Sequence, residues 1–234
     1  MLCGKFYKES KICLECIEWL KKNQKKLYCS YCGRIIKKSA SRKNVLNTSG
    51  FNNNANLCYE CRHQKWPFSV AKAVGPYSEI LRNAIHMLKY RGKKDLAIPL
   101  GDLMACRVMD DPLYCRADII VPVPMTKLKQ YKRGFNQAAL LAKQVSNVLG
   151  IPMKEVLFKK IETVSQTELN KHQRKQNLKD AFSLKNSISI ENKTVILIDD
   201  VMTTGHTVSM AADQLARGGV NKILVLVLAV GETK

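Results

Sequence analysis

The stretch Thr194 to Thr207, TVILIDDVMTTGHT, decides the fold. Four apolar residues, Val195, Ile196, Leu197 and Ile198, run into two adjacent carboxylates, Asp199 and Asp200. A turn of small residues follows, with Thr203, Thr204, Gly205, His206 and Thr207. An apolar run of this length, bounded by turn chemistry, predicts a strand buried on both faces of a parallel sheet, with the acids emerging at its carboxyl end. Val208 to Arg217, VSMAADQLAR, carries apolar residues at helical spacing and stops at Gly218 and Gly219,. Lys222 to Val230, KILVLVLAV, repeats the buried-strand pattern. The unit is strand, loop, helix, strand, the fold class is α/β, and the loop lies at the end of the sheet where such folds bind ligands.

The residue types of that loop suit a sugar phosphate. Threonine hydroxyls and glycine-permitted backbone N–H groups at a helix N-terminus form an anion cradle, favoured by the helix dipole. Two carboxylates ahead of the cradle are wrong for phosphate but right for accepting hydrogen bonds from a ribose diol. Paired acids after a strand can also be plain solvated turn residues, and it is the threonine-rich loop behind them that favours a site.

The stretch resembles the phosphoribosyl pyrophosphate motif of type I phosphoribosyltransferases, in which two acids follow an apolar run and a TTG-type loop follows the acids. Further stretches are similar to the ComF family of competence proteins: LKYRG at residues 88–92, RGFNQ at 133–137, and a QT…R…N pattern within 163–177. The resemblance implies a phosphoribosyltransferase-like parallel sheet with flanking helices, plus a small N-terminal zinc ribbon. It implies binding of phosphoribosyl pyrophosphate with Mg²⁺, Asp199 and Asp200 holding the diol and Thr203 to Thr207 the 5-phosphate. It also implies a role with single-stranded DNA in natural transformation, alongside a helicase partner. The alternative is an active transferase acting on a nucleobase or other amine acceptor. No stretch reads as a hood over such an acceptor, so ligand binding is the stronger expectation.

Net charge is +20, from 39 Lys and Arg against 19 Asp and Glu, which predicts a polyanionic partner,. Residues 1–65 carry 14 Lys and Arg against 4 acids, a net of +10, so half the excess sits in little more than a quarter of the chain. No apolar run reaches the roughly 18 residues of a membrane span, and the start, MLCGKFYKESK, lacks a secretory core; the expectation is a cytoplasmic protein,.

Nine cysteines without an export signal argue against a disulfide framework, and six of them form CxxC pairs,. Two CxxC turns supply four thiolates for tetrahedral zinc. Cys29, Cys32, Cys58 and Cys61 are the expected set, the glycine after Cys32 permitting a tight knuckle,. Cys13 and Cys16 then complete a second site with Cys3 and a ligand such as His63, replace another pair, or form a redox pair. The division expected is a cysteine-rich module at 1–66, with a polar insertion near 37–57, and a phosphoribosyltransferase-like domain at 67–234. On that division, Cys58→Ser disorders the module and spares the α/β domain.

Within the second region, Ser69 to Val74 predicts a strand, and Tyr77 to Tyr90 and Leu96 to Met109 predict helices,. Asp118 to Pro124, DIIVPVP, reads as a buried strand closed by prolines. The following loop, Met125 to Gln137, holds Lys127, Lys129, Lys132 and Arg133. By its place in transferases of this type it is the pyrophosphate loop, with Val123, Pro124 and Arg133 facing the ligand. Asn136 is a good N-cap for a helix over Gln137 to Leu149. By position, TVSQTELNKHQRKQN at 163–177 matches a flexible catalytic loop carrying Lys171 and Arg174, its competing reading being an ordinary basic helix,.

Overall fold

Residues 195–198 alternate between two cores, and this period of two organises the molecule. Val195 and Leu197 pack on one side, Ile196 and Ile198 on the other, all fully buried,. The computed structural model describes residues 13–24, 26–36, 56–160, 181–185 and 189–231. Among them a four-stranded parallel sheet is formed by β1 (Val70–Pro76), β2 (Ile119–Pro122), β5 (Thr194–Met202) and β6 (Lys222–Val230). The order is β1-β6-β5-β2, with Ile196 opposite both Ile120 and Leu224. The expected strand, helix and strand are all present.

One face is covered by α3 (Glu79–Tyr90), α4 (Ala97–Cys106) and α7 (Gln137–Leu149), through Leu81, Ile85, Leu100, Met104, Leu141 and Val145. The other face meets α8 (His206–Arg217), through Val208, Ala211, Ala212 and Leu215. Small β3 (Leu157–Lys159) and β4 (Phe182–Leu184) pair antiparallel at the side. The segment carrying Lys171 and Arg174 joins these two strands and lies outside the described residues.

Two readings are corrected. The stretch after β2 is not a simple loop: Lys127–Arg133 forms a helix, α6. It has no apolar period to announce it and is set instead by its ends, since Thr126 caps it by accepting from Lys129 N–H and Gly134 closes it at φ 81°,. The helix expected from Val208 starts two residues earlier, so His206 and Thr207 belong to the first turn of α8.

The cysteine segment packs on the sheet. Helix α1 (Leu14–Gln24) buries Cys16 and Leu20, and Cys13 just before it, in the α3–α4 core, and Trp19 Nε1 donates to Glu79 Oε2 at 2.8 Å. Cys29, Cys32, Cys58 and Cys61 belong to the opposite core with Phe68 and Ala71, Cys58 being the N-cap of α2 (Tyr59–His63) and Cys61 lying within it. The free edge of β1 is covered as well, for Ala71 N–H donates to the Tyr31 carbonyl at 2.8 Å and Arg107 Nε to the Ala73 carbonyl at 3.0 Å,. Among the described residues no helix is long and apolar enough to cross a membrane.

Candidate functional site

Strand β5 delivers Asp199 and Asp200 to its carboxyl end, where both are buried. Two carboxylates side by side away from water require partners. Asp200 N–H donates to Asp199 Oδ1 at 2.8 Å, Gln137 Nε2 donates to Asp200 Oδ1 at 3.1 Å, and Lys89 forms an ion pair with Asp200 Oδ2. Gln137 is itself oriented by Arg133, whose guanidinium lies 5.2 Å from the centre of the Tyr90 ring. One cation thus faces two acids. Burial first, and then the neighbouring Asp200 charge, push the Asp199 carboxyl well above the usual carboxylate range,.

Beyond the acids, Thr203, Thr204, His206 and Thr207 are exposed around the start of α8. The N-cap residue, Gly205, has no side chain; Thr204 Oγ1 accepts from His206 N–H at 3.4 Å, which draws a hydroxyl to the first-turn N–H groups of the helix,. Gly205 is the N-cap, at φ 79°, and a Cβ there would come 2.9 Å from Trp66 Cζ3. Gly205→Ala therefore meets both a left-handed backbone and an indole wall. It is expected to cost on the order of 1–3 kcal/mol, measurable by urea denaturation.

From the β2 side, Val123 N–H donates to the Ile198 carbonyl at 2.8 Å, and Asn136 Nδ2 donates to the Val123 carbonyl at 3.1 Å. Asn136 also caps α7, accepting from Ala138 N–H at 3.0 Å. Val123 and Pro124 are thereby fixed beside the end of β5. Arg133 stands between Tyr90 and Gln137, so the structure brings Asp199, Asp200, the Thr203–Thr207 turn, Val123, Pro124 and Arg133 to one end of the sheet. Lys171 and Arg174 lie outside the described residues.

The sequence assigns no task to Lys89 or Gln137 beyond their places in the LKYRG and RGFNQ stretches and, for Gln137, at the start of a helix. Both contact Asp200. The usable signal was the LKYRG and RGFNQ resemblance itself, since nothing local in either helix marks a partner so far along the chain.

The thiol sulfurs of Cys29, Cys32, Cys58 and Cys61 lie within 4.8 Å of one another, and Cys32 Sγ is 3.7 Å from Cys58 Sγ. Tetrahedral metal–thiolate bonds of about 2.3 Å set sulfur edges of roughly 3.8 Å. A dication with four thiolates is a net anion, and buried Arg34 sits against Cys32 and pairs with Glu60. The Cys32 side chain donates to Cys29 and holds its thiol well below the usual range, whereas the same bond and burial push Cys32 up. The four residues fit a structural metal. Cys13 and Cys16 are not part of this cluster; their sulfurs lie 3.3 Å apart in the other core. Exposed His63 turns Nδ1 to the Tyr59 carbonyl at 2.8 Å. Cys3 lies outside the described residues.

Trp66 joins the two sites. Its Nε1 donates to Cys61 Sγ at 3.2 Å, its ring stacks on Phe68 at 5.7 Å, and its edge forms the wall against Gly205.

The family of phosphoribosyl transferase domains matches residues 136–234. Competence protein F of Haemophilus influenzae is 31% identical over 207 residues, 86% of this chain and 84% of that protein. DNA utilization protein YhgH of Escherichia coli is 31% identical over 176 residues, 72% of this chain and 75% of that one. Competence protein ComFC of Bacillus subtilis is 26% identical over 223 residues, 90% of this chain and 80% of that one. These similarities extend well beyond the strand with the two acids, and with the parallel sheet and the four-cysteine cluster they make this chain a member of the ComF family of competence proteins.

Proposed function

We propose that this protein binds phosphoribosyl pyrophosphate with Mg²⁺ at the carboxyl end of its sheet and takes part in handling single-stranded DNA during natural transformation, with zinc held by the four cysteines. The observation that carries the ligand reading is the buried pair Asp199 and Asp200 set directly before a helix N-terminus ringed by exposed threonines, with a glycine as its N-cap. The acids accept from the ribose diol, and the Thr203–Thr207 turn with the α8 N–H groups takes the 5-phosphate. The backbone at Val123 and Pro124, with Arg133 and Lys89, supplies the pyrophosphate side, and Mg²⁺ would neutralise phosphate charge there. Lys171 and Arg174, expected from the sequence to act on the pyrophosphate, lie outside the described residues. The DNA role is supported by the net charge of +20 and by relatives named for competence and DNA utilization. Titration calorimetry with phosphoribosyl pyrophosphate and Mg²⁺ tests the ligand; absence of heat would remove it.

The raised Asp199 carboxyl fixes the sign of the pH dependence. Without ligand, the unfolded chain releases this proton near pH 4 while the folded protein keeps it. Its contribution to stability is therefore full at low pH and lost as pH rises through the folded value,. A diol donating to Asp199 favours the ionised form. Affinity for phosphoribosyl pyrophosphate should accordingly rise with pH, with proton release on the acid side, measurable by calorimetry in two buffers of different ionisation heat. Proton uptake instead would contradict the assigned role of Asp199.

A further inference from the structure

Helix α6 buries none of its seven residues, and its sequence, KLKQYKR, has four cations and no acid. Among the described residues nothing covers its outer side: Leu128 is 48% exposed and Tyr131 is 88% exposed. Its C-terminal end meets the C-terminal end of α3 through Arg133 over Tyr90, and Lys94 Nζ lies 5.1 Å from the centre of the Phe135 ring. Past Tyr90, itself 67% exposed, the chain presents Arg91, Lys93 and Lys94 to solvent, with Asp95 as the single acid in that turn. The two helix ends form one ridge along the mouth of the Asp199–Asp200 site.

The cations divide by direction. Lys89 and Arg133 turn inward to Asp200 and Gln137, where a small anionic ligand would meet them. Lys127, Lys129, Lys132, Arg91 and Lys93 are exposed, without an ion-pair partner among the described residues. So much unpaired charge on one ridge exceeds what one sugar pyrophosphate engages and matches an extended polyanion. Exposed tyrosines beside it offer faces on which unpaired bases stack, and a duplex keeps those faces covered.

We propose that this α3–α6 ridge is the surface on which the protein binds single-stranded nucleic acid, with phosphates along the lysines and a base on Tyr131. The proposal rests on the reading of the protein as a handler of single-stranded DNA and adds where that strand lies, at the rim of the sugar-phosphate site.

The test is fluorescence anisotropy of a labelled 20-nucleotide oligo-dT against salt, with the full chain, a Lys127→Glu/Lys129→Glu/Lys132→Glu variant, Tyr131→Ala, and a charge-matched Lys21→Glu/Lys22→Glu/Lys26→Glu control at exposed positions in the last turn of α1 and just after it. The α6 triple variant should lose affinity and lower the log–log salt slope by roughly 2, at about 0.7 per phosphate contact on a single strand. Tyr131→Ala should weaken binding on the order of tenfold with the slope unchanged, as expected of stacking. If both α6 variants bind like wild type, or the α1 control loses as much as the triple variant, the ridge is wrong while DNA handling stands. If wild type does not bind at low salt, both fall. Circular dichroism checks folding, and Tyr131→Ala, which removes no charge and no core contact, remains informative if the triple variant misfolds.

Discussion

Cys58→Ser is expected to lower the unfolding temperature of the whole chain by on the order of 10 °C or more, not to melt the first 66 residues alone. Zinc-finger ligation contributes roughly 10–16 kcal/mol, and one lost thiolate forfeits much of it. The structure directs that loss into the sheet. The four cysteines lie in the same core as Val195, Leu197, Val225 and Val227, and Tyr31 and Gly33 of the knuckle press on β1, where a Cβ at Gly33 would come 2.7 Å from the Ala71 carbonyl oxygen. Sparing of the α/β region, the outcome that follows from a division of the chain at residue 66, is therefore not expected. Hydrogen exchange at β5 and β6 provides the check. Protection there that survives Cys58→Ser, while the cysteine segment opens, would show that the shared core transmits little.

The second large effect separates two adjacent acids. Asp199→Asn replaces a carboxyl that already tends to hold its proton with a neutral isostere, and it removes the repulsion with Asp200. The ligand-free protein should be as stable as wild type or more so, yet affinity for phosphoribosyl pyrophosphate should fall roughly a hundredfold, since a charge-assisted hydrogen bond contributes about 1.5–3 kcal/mol and the anionic acceptor is gone. Asp200→Asn should lose both properties, because it strands Lys89, whose side chain is only 20% exposed and has no other ion-pair partner among the described residues,. Thermal unfolding and calorimetry on both variants give four numbers. Equal loss of stability in the two would mean that Asp199 is ionised at rest, contrary to its surroundings. The trade of stability for function at Asp199 is common at binding sites.

Local chemistry made the central unit readable, because each of its parts announces itself within a few residues. Val195 to Ile198 cannot be solvated, Gly218 and Gly219 stop a helix, and two of the three CxxC turns bring four thiols within reach of one ion. What escaped was whatever depends on distant pieces of chain meeting. Lys89 and Asp200 are far apart in sequence, and a lysine at a helix end looks the same whether it faces water or a buried carboxylate. Trp66 reads as a boundary residue before a proline, and only the fold sets its ring against Gly205. Helix α6 was missed for another reason: periodicity detects helices that bury a face, and this one buries nothing,.

The strand order has a bearing on how the protein can be divided. The stretch matching phosphoribosyl transferase domains, 136–234, contains β5 and β6, but the strands that flank them, β2 and β1, both precede it. A fragment cut at the boundaries of similarity would be half a sheet with two naked edges, and nine-residue strands of nearly continuous apolar character would be left to pair with copies of themselves,. The stretch that matches the domain family is thus smaller than the unit that can stand in water.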